Sequence, residues 1–205
     1  MEYMQPNQMI VNSGGAGSLG YYIRNANPSP HPSMVGAEMP LYWELRDGRI
    51  AKRVPRSREF TPSQQSFPGI TFSADGWYGV RVKDILKGTV VVDRPTDAVF
   101  AHHGWRETTL AIKWPGYLPP RSSDASRRRF KVLDNNVPMT RQGFAIEIAS
   151  QIRHLDDHAR DKPVAHGWED WAFSKNNVRV SDVYILSAHY YRNAWIPELY
   201  VINME

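Results

Sequence analysis

Apolar positions along the chain predict their clearest succession of elements between Thr109 and Arg160: a strand at Thr109 to Trp114, a Pro/Ser/Arg loop, a second strand at Arg129 to Leu133, and a long amphipathic helix from about Thr140 to Arg160. Phe144, Ile148, Ile152 and Leu155 fall at i, i+4, i+8 and i+11. At about 3.6 residues per turn this draws one apolar stripe, widened by Ala145 and Ala149. Pro138 cannot continue an upstream ladder and the Thr140 hydroxyl suits a first-turn cap, so the helix starts there; Asp161-Lys162-Pro163 ends it. Ile146 lies off the stripe, so either the helix is covered on two sides or one isoleucine is exposed; burial between a sheet and a loop is the preferred reading.

Upstream, Leu41 to Leu45 reads as a strand closed by the Asp47-Gly48 turn, with further short strands at Ile70 to Phe72 and Tyr78 to Val82. Residues 52 to 68 are basic and punctuated by proline, which predicts a long loop. At the C-terminus, Val183 to Tyr191 and Trp195 to Ile202 flank a turn at Arg192-Asn193-Ala194. A helix from Ser181 competes there, since Ser-Asp is a good N-cap pair, but Tyr190-Tyr191 and Trp195-Ile196 suit a half-buried sheet, and Pro197 is tolerated if the strand lies at an edge. The fold class is therefore α+β: an antiparallel or mixed β-sheet with one principal amphipathic helix packed on it. Val80–Leu86 echoes Val178–Tyr184, and His103–Glu107 echoes His166–Asp170, but without the regular period that a repeat fold requires.

Residues 1–38 have the composition of a flexible leader, rich in glycine at 14–17 and in proline at 28–32, and residues 39–205 form the single α+β domain. Gly15-Ala16-Gly17-Ser18-Leu19-Gly20 matches the dinucleotide fingerprint G-x-G-x-x-G in letters only. That motif needs a strand before it and a full helix after it, and Pro28 ends anything that follows. No cofactor is expected from it.

The 205-residue chain has no cysteine, which excludes disulfides, thiolate chemistry and cysteine-held zinc. Its start lacks the apolar region of a signal peptide and no apolar run approaches membrane-spanning length, so a cytoplasmic or nuclear setting is expected, with no membrane partner. The net charge of +4 is local: residues 46–60 carry six basic and two acidic groups, and the remaining charges cancel. A second concentration, Arg121, Arg127, Arg128, Arg129 and Lys131 against Asp124, is balanced by acids elsewhere.

Leu41-Tyr42-Trp43-Glu44-Leu45, Trp114-Pro115-Gly116-Tyr117, Val137-Pro138-Met139-Thr140-Arg141 opening a helix, and Val178 to Tyr191 with a closing Trp195 to Val201 strand together resemble an uncharacterised domain family of mushroom-forming (basidiomycete) fungi. The resemblance spans roughly residues 40 to 202 and implies an α+β domain in a fungal protein. It brings no activity, substrate or catalytic residue, and the long loop from Pro115 to Arg128 departs from it.

Candidate chemistry is sparse. His154 and His158, four apart on the helix with Asp157 between them, have a spacing that metal sites use, and His102-His103 would add ligands from a loop. H-x-x-D-H resembles an inverted zincin motif with Asp in place of its general-base Glu, and both histidines fall on the flank of the helix, where solvated side chains belong. There is no G-x-S-x-G elbow, and the paired acids Asp156-Asp157 and Glu169-Asp170 are sequence neighbours whose side chains diverge. Three Gly-Trp pairs, 76-77, 104-105 and 167-168, would display flat rings to a carbohydrate if they are not core.

The reading that results is a non-enzymatic interaction module. Its contact surface is the basic loops, chiefly Arg49, Lys52, Arg53, Arg56, Arg58, Arg121, Arg127, Arg128, Arg129 and Lys131, offered to an acidic protein partner. The alternative is a nucleic-acid-binding protein using the same groups, with Trp114 and Tyr117 stacking on bases beside Arg127–Arg129. A metal-dependent enzyme using His154 and His158 is the third class.

Overall fold

The computed structural model describes residues 8–12, 21–25, 31–36, 38–56, 60, 65–117, 126–160 and 162–202. In chain order the elements are β1 (Gln8–Asn12), β2 (Tyr21–Asn25), β3 (Tyr42–Glu44), β4 (Ile50–Arg53), β5 (Ile70–Thr71), β6 (Ser73–Ala74), β7 (Trp77–Tyr78), β8 (Val80–Arg81), α1 (Val82–Lys87), β9 (Glu107–Ala111), β10 (Arg127–Lys131), β11 (Leu133–Asp134), β12 (Val137–Pro138), α2 (Arg141–Ala159), β13 (Val183–Tyr191) and β14 (Ala194–Ile202). The main sheet runs β10-β9-β14-β13-β5, with β4 also on β14, β3 on β4, and β8 on β13. All pairings are antiparallel except β14 with β9, where Trp195 lies opposite Leu110, so the sheet is mixed.

The centre of that sheet is the hairpin β13–β14. Its turn has only Arg192 and Asn193 between the strands, with φ of 43° and 65°. A two-residue hairpin turn needs that left-handed backbone to match the twist of its strands, and Asn is among the residues that adopt it readily. Nearly every residue of the two strands is buried, so both faces of the hairpin are covered. α2 covers one. Met39, Leu45, Ala51, Tyr184, Leu186 and Tyr200 form a second apolar cluster, and Phe60, Ala111, Tyr191, Ala194 and Ile196 a third.

α2 forms where the stripe predicts it. The Thr140 hydroxyl accepts from the Gly143 N–H at 3.1 Å, capping the first turn. Phe144, Ala145, Ile148, Ala149, Ile152 and Leu155 are buried against the sheet. Phe144 sits among Phe100 (4.9 Å between ring centroids), Phe130 (5.6 Å), Trp195 (5.7 Å) and Phe72 (5.8 Å), which ties the helix to β14, β10, the end of β5 and the segment between α1 and β9. Ile146, expected in the interior, is 43% exposed, as its position away from the stripe dictates.

Other expectations are corrected in detail. The strand expected at 109–114 is β9, and Trp114 lies beyond its end. The strand expected at 129–133 begins at Arg127. Tyr78–Val82 is not one strand: Gly79 (φ 96°) interrupts it, and from Val82 the chain becomes α1, closed by Gly88 (φ 67°). Val82 and Ile85 are the buried residues there, at helical spacing, and Val80-Arg81-Val82 masks this with a strand-like alternation. The loop expected over 52–68 opens with the end of β4, in which Lys52 and Arg53 pair with Val201 and Tyr200. Pro197 is not on an edge strand. The Val54 N–H donates to the Leu199 carbonyl, so by alternation residue 197 faces the same side, where β9 and β4 attach at separate points and leave a gap that requires no N–H.

Within the expected leader, β1 and β2 pair as a separate ribbon, Gln8 opposite Asn25. The G-x-G-x-x-G stretch, residues 15–20, lies outside the described residues. Two points of the segment before β3 are tied to the rest of the domain: the Gly69 N–H donates to the Ser33 carbonyl at 2.9 Å and the Tyr200 hydroxyl to the Pro40 carbonyl at 2.7 Å. No helix among the described residues is long and apolar enough to cross a membrane.

Because Phe144 joins helix and sheet through four rings, Phe144→Ala is expected to destabilise the fold by about 3–5 kcal/mol in urea unfolding. A loss below about 1 kcal/mol would show that the helix is anchored elsewhere.

Candidate functional site

The two basic segments meet different fates. In the first, Arg49 is held by Asp47 at 2.6 Å and by the Tyr184 hydroxyl at 3.0 Å; the hydrogen bond from Arg49 lowers the Asp47 carboxyl below its ordinary range. The Lys52 ammonium lies 5.7 Å from the centre of the Trp171 ring. Arg53 and Arg56 are 14% and 10% exposed and converge on Glu198, which is 1% exposed on β14. Arg53 Nε is 2.7 Å from one carboxylate oxygen and Arg56 pairs with the other. Arg53 also donates to the Met39 carbonyl at 2.6 Å, and Arg56 to the Tyr191 hydroxyl at 2.5 Å while lying over its ring.

These two guanidiniums are internal counter-ions. As the contact surface expected from the sequence, Arg53 and Arg56 are corrected: an acid on a strand buried on both faces has drawn them inward. Arg58 lies outside the described residues.

Beside this cluster is a buried pair. Ser187 and His189, exposed 0% and 1%, are hydrogen-bonded, Oγ to Nε2, at 2.9 Å. Burial, then the charges of Arg56 and Arg53, push the His189 imidazole down to about 3, so it is neutral near pH 7. The pair does not make a hydrolytic site. No carboxylate reaches Nδ1 among the described residues, both Glu198 oxygens are engaged, and the Gly69 backbone packs so closely that a Cβ there would stand 2.6 Å from the imidazole.

The second basic segment is β10, an end strand of the main sheet. Its alternation is set by Phe130, which is 7% exposed and stacks on Phe144 under α2. Arg128 shares that face and reaches Glu147 of α2 at 3.4 Å. Arg127, Arg129 and Lys131 occupy the opposite face, opposite Ala111, Thr109 and Glu107 of β9. Lys131 pairs with Asp134 at 3.0 Å, which raises its ammonium above the ordinary range. Arg127 and Arg129 are exposed and have no acidic partner among the described residues. Arg121 lies outside them. β4 and β9 attach to β14 at different points along its length, β4 at Tyr200–Ile202 and β9 at Trp195.

The aromatic residues expected beside these arginines are engaged elsewhere. Trp114 is 4% exposed and donates its ring N–H to the Trp171 carbonyl at 2.7 Å, and the Tyr117 hydroxyl accepts from the Phe173 N–H at 2.9 Å. Sequence reasoning missed the rings that share a cleft with Arg129. Trp105 and Tyr190, 4.9 Å apart, line a cleft of about 320 Å³ with Arg129, Glu107, Thr108, Thr109 and Asn193. All three Gly-Trp glycines have positive φ, 80°, 66° and 86°, but the tryptophans differ: Trp77 and Trp168 are 51% and 37% exposed, whereas Trp105 packs against His103 and Phe67.

His154 and His158 are exposed neighbours on α2, 4.2 Å between ring centroids. His102 and His103 lie in a short turn where His103 packs on Phe67, Phe100, Trp105 and Trp195, and burial lowers its imidazole below the ordinary range. No group of three or more His, Asp or Glu side chains placed to hold a metal occurs among the described residues.

Comparison with family models finds no match, and no curated protein or solved structure matches the chain.

Two outcomes follow from the buried polar groups. Glu198→Gln leaves two guanidiniums without their counter-charge and is expected to cost about 3–5 kcal/mol; replacing Glu198, Arg53 and Arg56 together by leucine and methionines recovers most of it. Equal losses in the single and triple variants would show that shape, not charge, is what the site requires. For His189 the unfolded chain takes a proton below about pH 6.5 and the native state does not until about 3. Its contribution to stability is complete above about 6.5 and is lost as pH falls, at about 1.4 kcal/mol per pH unit. Urea unfolding of His189→Gln from about pH 7 to 4 should lose that slope; an unchanged slope would assign it to other groups.

Proposed function

We propose that the protein is a non-enzymatic interaction module that takes an acidic protein partner on β10, through Arg127 and Arg129 with Arg128 and Lys131 beside them, in the cytoplasm or nucleus. The observation that carries this reading is the pair of exposed arginines on an end strand of the sheet without acidic partners among the described residues, where Arg49, Arg53, Arg56 and Arg128 each pair with an acid of the same chain. An exposed ion pair contributes at most about 1 kcal/mol and is screened by salt. Binding by these groups is therefore modest per contact and depends on several acids arriving together.

The second reading is single-stranded nucleic acid. It is favoured by the cleft in which Arg129 meets Trp105 and Tyr190, because a cation beside aromatic rings is what phosphate and base together require. Glu107 lines the same cleft and opposes a phosphate, which places this reading second.

Poly-L-glutamate and a single-stranded oligonucleotide, each titrated across roughly 50 to 200 mM salt, separate the two. The expected result is salt-sensitive binding of poly-L-glutamate, weakened on the order of tenfold by Arg127→Glu with Arg129→Glu. Tighter binding of the oligonucleotide, lost on Trp105→Ala, would put nucleic acid first.

A further inference from the structure

The hydrogen bonds that flank β10 fix which of its backbone groups are free. The Ile112 N–H donates to the Ser126 carbonyl at 2.7 Å and the Val132 N–H to the Arg106 carbonyl at 2.9 Å. In an antiparallel ladder, paired and outward-facing residues alternate. Arg128 and Phe130 thus turn their backbone groups to β9, as do the Ser126 carbonyl and the Val132 N–H, while the N–H and C=O of Arg127, Arg129 and Lys131 point to the side of β10 on which no described strand pairs. No hydrogen bond joins those outward groups to another described residue.

We propose that the partner binds by strand addition: an extended acidic segment pairs antiparallel along β10, with carboxylates at the alternate positions opposite Arg129 and Arg127. This rests on the acidic-partner reading and states its geometry. Hydrogen-bonded neighbours in such a pair lie with Cβ atoms roughly 5 Å apart, so each carboxylate comes within reach of one guanidinium. The position opposite Lys131 does not require an acid, because Asp134 and Glu107 already lie near that ammonium. The intervening side chains fall on the α2 face, beside Arg128 and Phe130, where Glu147 already faces Arg128.

Charge on an edge strand is also how proteins prevent their edges from pairing at random. Here the two roles agree. A second copy added antiparallel along this edge would bring arginine and lysine against arginine and lysine, and an apolar strand would leave the cations unpaired. An alternating acidic strand satisfies both the backbone and the charges.

The test uses a short peptide with glutamate at alternate positions, the same peptide N-methylated at those glutamates, and poly-L-glutamate, all against the intact protein. N-methylation keeps every charge and removes the N–H groups that would donate to β10. The expected result is binding of the parent peptide, at least tenfold weaker binding of the methylated one, and slowed amide exchange at Arg127, Arg129 and Lys131 on adding the parent. Equal binding of the two peptides, or slowed exchange elsewhere only, would overturn strand addition and leave the acidic-partner reading in place. No binding of either peptide or of poly-L-glutamate would overturn both.

Discussion

A carboxylate on a strand buried from both sides constrains much of what surrounds it. Glu198 lies in the middle of β14, and taking its charge out of water costs several kcal/mol unless cations and hydrogen bonds surround it. Arg53 comes from the end of β4 and Arg56 from just beyond it, so the pairing of β4 with β14 and the course of the chain after it are set by the same demand. The guanidiniums extend the cluster further, Arg53 to the Met39 carbonyl and Arg56 to the Tyr191 hydroxyl on β13. One acid therefore couples both central strands, β4, and the segment that precedes β3.

The same cluster changes the meaning of the charge distribution. Counted along the sequence, residues 46–60 hold the whole net charge and β10 is balanced by acids elsewhere. In space the ranking reverses. The first segment neutralises an internal acid with two of its cations and ties a third to Asp47, while the acids nearest β10 engage Arg128 and Lys131 and leave Arg127 and Arg129 to solvent. A net charge sums over groups; a contact surface depends on which of them are already paired.

How much was legible follows from how local each signal is. α2 and the β13–β14 hairpin could be read because their information lies within about twenty residues: a stripe and a cap for one, two long apolar runs about a short turn for the other. β4 was hidden because two of its four residues are cations, and the burial of one of them, Arg53, depends on an acid far along the chain. That acid was the available clue, since a lone Glu within an otherwise apolar run from Ala194 to Ile202 needs counter-ions from a basic segment. α1 was hidden behind a strand-like alternation. At the candidate site the arginines of β10 were visible by type, but their place on an edge and the approach of Trp105 and Tyr190 are set by pairings between distant segments, which residue spacing does not encode.

The edges of this sheet are also managed unequally. β5 and β8 span two residues each and β3 three, too short to offer a second strand much backbone to pair with. β10 spans five, with three outward-facing sets of backbone groups, and among the described residues what guards it is charge. Brevity excludes every added strand, whereas charge excludes only strands of the wrong charge. Arginines along an edge thus repel a second copy of the same strand and, on the proposed reading, admit an acidic chain, a selectivity that brevity at β3, β5 and β8 does not provide.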